Sequence, residues 1–321
     1  MTMTSTTSVR IKKHRPEPAV SAPASARSSF ARTPRTFYWM VVPAVVIFFG
    51  LHTVPVLSGM FFSLTNYAGY GTWDFVGLSN YVNLFQDDRV LNSYGFTFGF
   101  AIVSTVLVNV IALAIALGLN SKIKFQAAFR GVFFIPYVLA ILIIGYVFNY
   151  LFANSFPAIF TAIGMPGLAT NLLASPDFAW VGIVITTVWQ AAAFNVILYL
   201  AGLQTISADL YEAASIDGAS GWRRFRSITF PLIGAYFTIN MVLSFKSFLQ
   251  VFDQIVALTA GGPGTSTESI ALVIFRGGFQ GGFQGGEYGY QMANAVIYLF
   301  VIIIVSFVQL RFLQRREASF S

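Results

Sequence analysis

The chain has 321 residues, 56% of them hydrophobic and 10% charged, with a mean hydropathy of +0.71 and a net charge of +7. Soluble domains carry about 25% charged residues, so this composition excludes an ordinary water-soluble fold and points to an all-α integral membrane protein. It contains no cysteine, which excludes disulfides, thiolate chemistry and cysteine-ligated metals.

Residues 1–36 are rich in Ser, Thr, Pro, Ala and Arg and lack an apolar core, the composition of a disordered basic tail. From there the runs free of Asp, Glu, Lys and Arg set the architecture. They hold 38 residues after Arg35, 32 after Arg89, 46 after Arg130, 31 after Asp177, 19 after Arg226 and 23 after Glu287. Each accommodates one helix of about 20 residues, which gives six transmembrane helices within residues 37–313. The first, near 37–62, contains Pro43, Pro55 and His52; a lone membrane histidine without an acidic neighbour is more often a packing residue than a site. Residues 63–93 carry aromatics suited to an interfacial belt or an external partner. The second helix spans about 94–120 and the third about 131–152, with Pro136 one turn inside. Pro157, Gly164, Pro166, Gly167 and Pro176 make the stretch from Asn154 read as an irregular loop.

The fourth helix, about 178–202, carries Trp189, Gln190 and Asn195 near mid-membrane, where amides need a neighbouring helix or a wet cavity. The fifth begins after Pro231 and presents Asn240, Ser244 and Ser247 at helical spacing; Lys246 points elsewhere and reads as snorkelling or pairing with Asp253. An external segment follows, with a turn at 261–264 and a low-complexity GGFQGGFQGG loop at 277–286. The sixth helix, about 288–310, leads to a basic tail at 314–321.

Sixteen of the 19 basic residues fall on one side of this arrangement, in the N-terminal tail, the 122–130 loop, the 209–231 island and the C-terminal end. The positive-inside rule makes that side the cytoplasm, with both termini there. Topology and membrane lipid account for the positive charge without a nucleic-acid partner.

The island DLYEAASIDGASGWRRFRSITFP, residues 209–231, is a polar stretch of helix-forming sequence between two apolar runs. Asp209 and Glu212 have the spacing of a capping box, Gly218 suits a helix C-terminus, and a second short helix would start near Ser220 and stop before Pro231. Two surface helices exposing Glu212, Ala213, Ala214, Asp217 and Gly218 form a surface for another protein to grip.

No G-x-x-x-x-G-K-[ST] occurs, and the two histidines, His14 and His52, lie in different kinds of segment. Neither a P-loop nor a zinc or Ser-His-Asp site is supported. Apart from Asp253 at a helix end, no carboxylate falls inside a span, which disfavours an ion-coupled secondary carrier. That carrier and a non-catalytic membrane scaffold are the alternatives to a pathway driven from outside the chain.

Tyr211-Glu212-Ala213-Ala214, Asp217-Gly218-Ala219, Phe225, Ile228 and Pro231 resemble the EAA motif of binding-protein-dependent ABC transporter permeases. LAGLQTI at 200–206, VGLSNYVNLF at 76–85, FRGVFFIPYV at 129–138, FDQIVALTAGGP at 252–263 and GYQMANAVIYLF at 289–300 resemble the sugar-importer branch. Ser207, where a proline is common, and Ala235, near a second frequent proline, depart from the pattern. The resemblance implies a type I importer permease fold in a bacterial cell membrane, with residues 207–231 coupling to a separate ATPase. Tyr211, Glu212, Ala213, Ala214, Asp217, Gly218 and Ala219 would then form the coupling surface. It also implies a second related permease, two cytoplasmic ATPase copies holding ATP and Mg, and an external solute-binding protein. No cofactor is expected in this chain. A sugar or polyol would sit between the fourth and fifth helices, against Ser244, Phe194, Gln190, Asn195 and Asn240.

Overall fold

The structure is a computed structural model that describes residues 35–121, 124–280 and 287–317. The expected tail at 1–36 falls almost wholly outside the described residues, as do 281–286 of the Gly/Phe/Gln repeat and 318–321. The chain divides into two compact units, Met1–Val54 and Pro55–Ser321.

In the first unit, helix α1 (Arg35–Phe48) runs into a π-helical turn, Phe49–Thr53. Its side chains from Trp39 to His52 are exposed, and the His52 ring stacks on Phe48 at 5.0 Å, one turn away. The run Trp39–Phe62 is long and apolar enough to cross a membrane.

The second unit is helical throughout its described residues apart from turns and one isolated antiparallel bridge, Thr65 to Phe75. It comprises α2 (Val54–Phe62), α3 (Ser79–Leu84), α4 (Asp88–Asn120), α5 (Gln126–Val138), α6 (Ile141–Tyr150), α7 (Phe156–Ala162) and α8 (Ala179–Leu203). An elbow follows, made of α9 (Ala208–Ile216), α10 (Gly221–Arg224) and α11 (Phe230–Leu232). The chain continues through α12 (Gly234–Leu249), α13 (Asp253–Leu258), α14 (Ile270–Phe275) and α15 (Tyr288–Glu317). Among the described residues five runs are long and apolar enough to span a membrane, and a sixth is the pair Gly221–Leu232 and Gly234–Leu249, bent by 68°.

The core forms where α4 packs against α8 and α12. Lipid tails are as apolar as leucine, so helices in a bilayer associate through close packing and interhelical hydrogen bonds. Helix α4 meets that requirement with buried small residues, Ala101, Ser104, Thr105, Ala112 and Ala116. Asn109 on the same face accepts a 2.6 Å hydrogen bond from the Tyr199 hydroxyl of α8. Tyr298 of α15 donates to the Leu249 carbonyl at 2.7 Å, closing the last turn of α12.

Several boundaries differ from the sequence expectation. Helix α4 begins at Asp88 rather than near Tyr94, because the Asp87 carboxylate accepts from the amides of Arg89 and Val90 at 2.9 and 3.3 Å. The third span is not one helix at 131–152 but α5, a break at Leu139 and Ala140, and then Ile141–Ala162. The expected loop from Asn154 is therefore helical to Ala162. Pro157 is carried inside this run, two residues after the π-helical turn Leu151–Ser155. The 253–287 segment, expected to be external, holds α13 and α14, and residues 277–280 of the expected flexible loop lie in a π-helical turn, Arg276–Gln280.

Candidate functional site

Two features stand out, one at the elbow and one in the bundle. Helix α9 is capped by Ser207, whose Oγ accepts from the Asp209 amide at 3.3 Å. The expected Asp209–Glu212 capping box is not formed. Asp209 stands inside the first turn, where its charge still suits the helix dipole, and Glu212 is exposed. The helix ends in a Schellman turn, Ala219 N–H to Ala214 O at 2.9 Å and Gly218 N–H to Ser215 O at 3.1 Å. Gly218 supplies the left-handed residue at φ +68°.

The return limb starts at Ser220, whose Oγ caps Arg223 N–H at 3.3 Å, and runs past Pro231 to Leu232 rather than stopping before the proline. Pro231 lies in the first turn of α11, and the chain bends at Ile233 instead. The Tyr211 hydroxyl meets Thr229 Oγ1 at 2.9 Å, and Arg224 donates to Ser215 Oγ at 3.1 Å. These bonds brace the two limbs.

Of the seven residues expected at this surface, Glu212, Ala213, Asp217 and Gly218 are exposed and Ala219 and Tyr211 half-buried. Ala214 is buried, which corrects its expected exposure, and its carbonyl accepts the Ala219 amide that closes the turn. The sequence reading missed Ile216 and Trp222, which are 87% and 69% exposed beside them. An unmatched tryptophan in a charged island was the available signal.

In the bundle, α8, α12 and the α5–α6 break enclose a cavity of about 950 Å³. Gln190, Phe194, Asn195 and Ser244 all line it. Ser244 Oγ donates to Asn195 Oδ1 at 2.9 Å, and Asn195 Nδ2 donates back to the Ala191 carbonyl at 2.9 Å. Gln190 Nε2 donates at 3.2 Å to the Leu139 carbonyl, which the helix break has freed. Gln190 Oε1 and Thr187 Oγ1 are buried without a hydrogen-bond partner. Phe194 stacks on Tyr137 of α5 with ring centroids 5.3 Å apart.

Asn240 is not among the lining residues. It is fully buried behind Asn195 and donates to the Asn195 carbonyl at 3.4 Å. Lys246 is exposed and forms no ion pair with Asp253. Thr187 and Tyr137 also line the cavity and were not anticipated. Thr187 stands three residues before Gln190 and seven before Phe194, so extending the polar face back by one turn would have found it.

A third feature involves Arg89 and Arg276, which lie outside the four basic clusters of the topology. Glu268, with its side chain 2% exposed, receives Arg89 Nε at 2.7 Å, Arg89 Nη2 at 2.8 Å and Arg276 Nη1 at 2.6 Å. Burial pushes the carboxyl pKa up, but the two guanidinium groups outweigh it and hold it below its ordinary value. Arg276 also donates to the Ala260 carbonyl. Gly261, at φ +82°, packs so closely that a Cβ there would lie 2.8 Å from Glu268 Cγ. The clasp thus ties the 259–276 segment to the start of α4. Among the described residues no three His, Cys, Asp or Glu side chains converge as a metal site would require.

Residues 109–318 match the family model described as "Binding-protein-dependent transport system inner membrane component". The multiple sugar-binding transport system permease protein MsmF of Streptococcus mutans is 35% identical over 87% of this chain and 97% of its own length. The probable starch degradation products transport system permease protein AmyD of Thermoanaerobacterium thermosulfurigenes is 33% identical over 88% and 95%. A solved bacterial ABC transporter involved in import of the acidic polysaccharide alginate has the same fold, with a TM-score of 0.75 at 22% identity over 88% of this chain and 96% of that one. The chain is a multi-pass membrane protein that belongs to the family of binding-protein-dependent transport system inner membrane components.

Proposed function

We propose that the chain is one permease subunit of an ATP-driven importer of sugars or related polyols, working with a second related permease. An external solute-binding protein delivers the substrate, and two cytoplasmic ATPase copies hold ATP and Mg. The observation that carries the substrate class is the cavity between α8 and α12. Its buried Gln190 Oε1 and Thr187 Oγ1 lack partners inside the chain, beside the hydroxyl of Ser244 and the ring of Phe194. Unpartnered buried acceptors are costly, and a hydroxyl-rich ligand supplies the donors they need while its apolar face rests on an aromatic ring. The names of MsmF and AmyD support the same class.

The elbow is the coupling element in this reading. Glu212, Ala213, Asp217 and Gly218 form its contact surface with Ile216 and Trp222, while Tyr211, Ala214 and Ala219 hold the limbs together. It lies directly between α8 and α12, so a push on α9 moves both walls of the cavity, a rigid-body switch between outward- and inward-open states. The basic residues Arg223, Arg224 and Arg226, with those of the two tails, support a cytoplasmic elbow and cytoplasmic termini.

The test is uptake of labelled oligosaccharides into proteoliposomes holding the assembled transporter. Uptake that needs internal ATP and falls at least tenfold in Gln190→Leu, with the complex intact, is the expected result. Uptake driven by a proton or sodium gradient without ATP would overturn the reading.

A further inference from the structure

Helices α4, α5 and α8 enclose a second concavity of about 580 Å³, walled by Leu107 and Ile111 of α4, Val132 of α5 and Trp189 of α8 among other apolar side chains. A third, of about 440 Å³, shares Phe133, Ala193 and Val196 with it, so the two form one continuous groove. Along α4 the groove runs from Leu107 to Leu119, about 18 Å at the helical rise, close to the ~15 Å depth of one leaflet's hydrocarbon. It is apolar until the elbow end, where Arg130 and Gln204 line it. Arg130 Nε is buried there without a hydrogen-bond partner among the described residues.

A buried guanidinium N–H without an acceptor is expensive in a hydrocarbon setting, and a phosphate diester is the acceptor that matches its planar fork. A positive charge at the groove's end attracts anionic lipid in preference to neutral lipid. We propose that this groove seats one anionic phospholipid, an acyl chain lying along α4, α5 and α8 and its phosphate on Arg130. The site is distinct from the amide-lined cavity and requires only that the chain lie in a bilayer, so it stands whatever substrate is carried.

The test is native mass spectrometry of the full chain in dodecyl maltoside, titrated with palmitoyl-oleoyl phosphatidylglycerol and, separately, with the phosphatidylcholine of the same chains. One phosphatidylglycerol should be retained in preference to phosphatidylcholine, with affinity lowered about tenfold in Arg130→Gln and by less in Arg130→Lys. Ala201→Phe, which narrows the groove beside an intact Arg130, should lower it as well. Equal retention in wild type, Arg130→Gln and Ala201→Phe would overturn the proposal, as would an Arg130→Lys variant no better than Arg130→Gln. Glycerol 3-phosphate displacing the lipid at equal concentration would show a free-phosphate site in its place. Loss of the lipid on assembly with the second permease, together with cross-links from position 130 to that subunit, would assign the groove to a partner helix and overturn the proposal too.

Discussion

Gly218 adopts φ +68° with open space where a Cβ would point. A Cβ there meets nothing in this chain, and the internal cost of a small side chain is the left-handed backbone, about 1–2 kcal/mol for most residues and less for asparagine. Gly218→Asn is therefore expected to leave the thermal midpoint of the purified subunit nearly unchanged while reducing co-purification of the ATPase, and Gly218→Val to lower both. Unchanged ATPase retention in both variants would count against docking through α9. Glu268 makes a different kind of contribution. Its arginine partners are 50% and 30% exposed, so water takes up part of the loss when the carboxylate is removed. Glu268→Gln should destabilise by roughly 2 kcal/mol, below the value for a fully buried pair. Because the folded carboxyl titrates below its ordinary value of 4.5, the clasp stabilises fully above that pH and is lost as pH falls through the depressed folded value. Thermal melts against pH should show that acid-side loss in wild type and its absence in Glu268→Gln.

At the scale of elements, the third span depends on contacts remote in sequence. Its break at Leu139 and Ala140 opens the cavity, and the freed Leu139 carbonyl is taken up by Gln190, 51 residues later. Helix α6 then lies so close to α13 that a Cβ on Gly145 would collide with the Ala257 methyl group. Gly145→Ala is expected to cost about 1–3 kcal/mol through overpacking, and Ala257→Gly in the same chain to restore most of it. Denaturation of the single and double variants measures this directly. A double variant as unstable as Gly145→Ala would mean that the two helices do not pack as described. Neither contact was legible in the sequence. Pro157 and Gly164 read as loop signals, yet the helical run Ile141–Ala162 carries the proline just after a π-helical turn, and only Gly164, at φ +78°, lies beyond its end.

For the whole molecule, the elbow connects a solvent-facing surface to both cavity walls through the 68° bend that follows Leu232. Exposed apolar side chains on a charged elbow are the anchors a partner cleft would bury. Ile216→Ser combined with Trp222→Ser should weaken ATPase association by about 2 kcal/mol, some thirtyfold in a pull-down titration, and lower uptake in parallel. Wild-type association in the double variant would restrict the contact to Glu212, Ala213, Asp217 and Gly218.

Charge spacing alone located the long apolar runs, of which five, or six with the bent pair, form candidate spans, and the polar island between two of them, because burying an unpaired charge in hydrocarbon is costly enough to leave its mark on composition. The family resemblance placed Gln190, Phe194, Asn195 and Ser244 together between α8 and α12, and all four line the cavity there. Three matters were decided only in three dimensions. Asn240 turned behind Asn195 instead of into the cavity, Ser207 rather than Asp209 capped the elbow, and Arg89 and Arg276 found Glu268 across 179 and 8 residues. Each is a choice among hydrogen-bond partners of similar local worth, and long-range packing makes that choice.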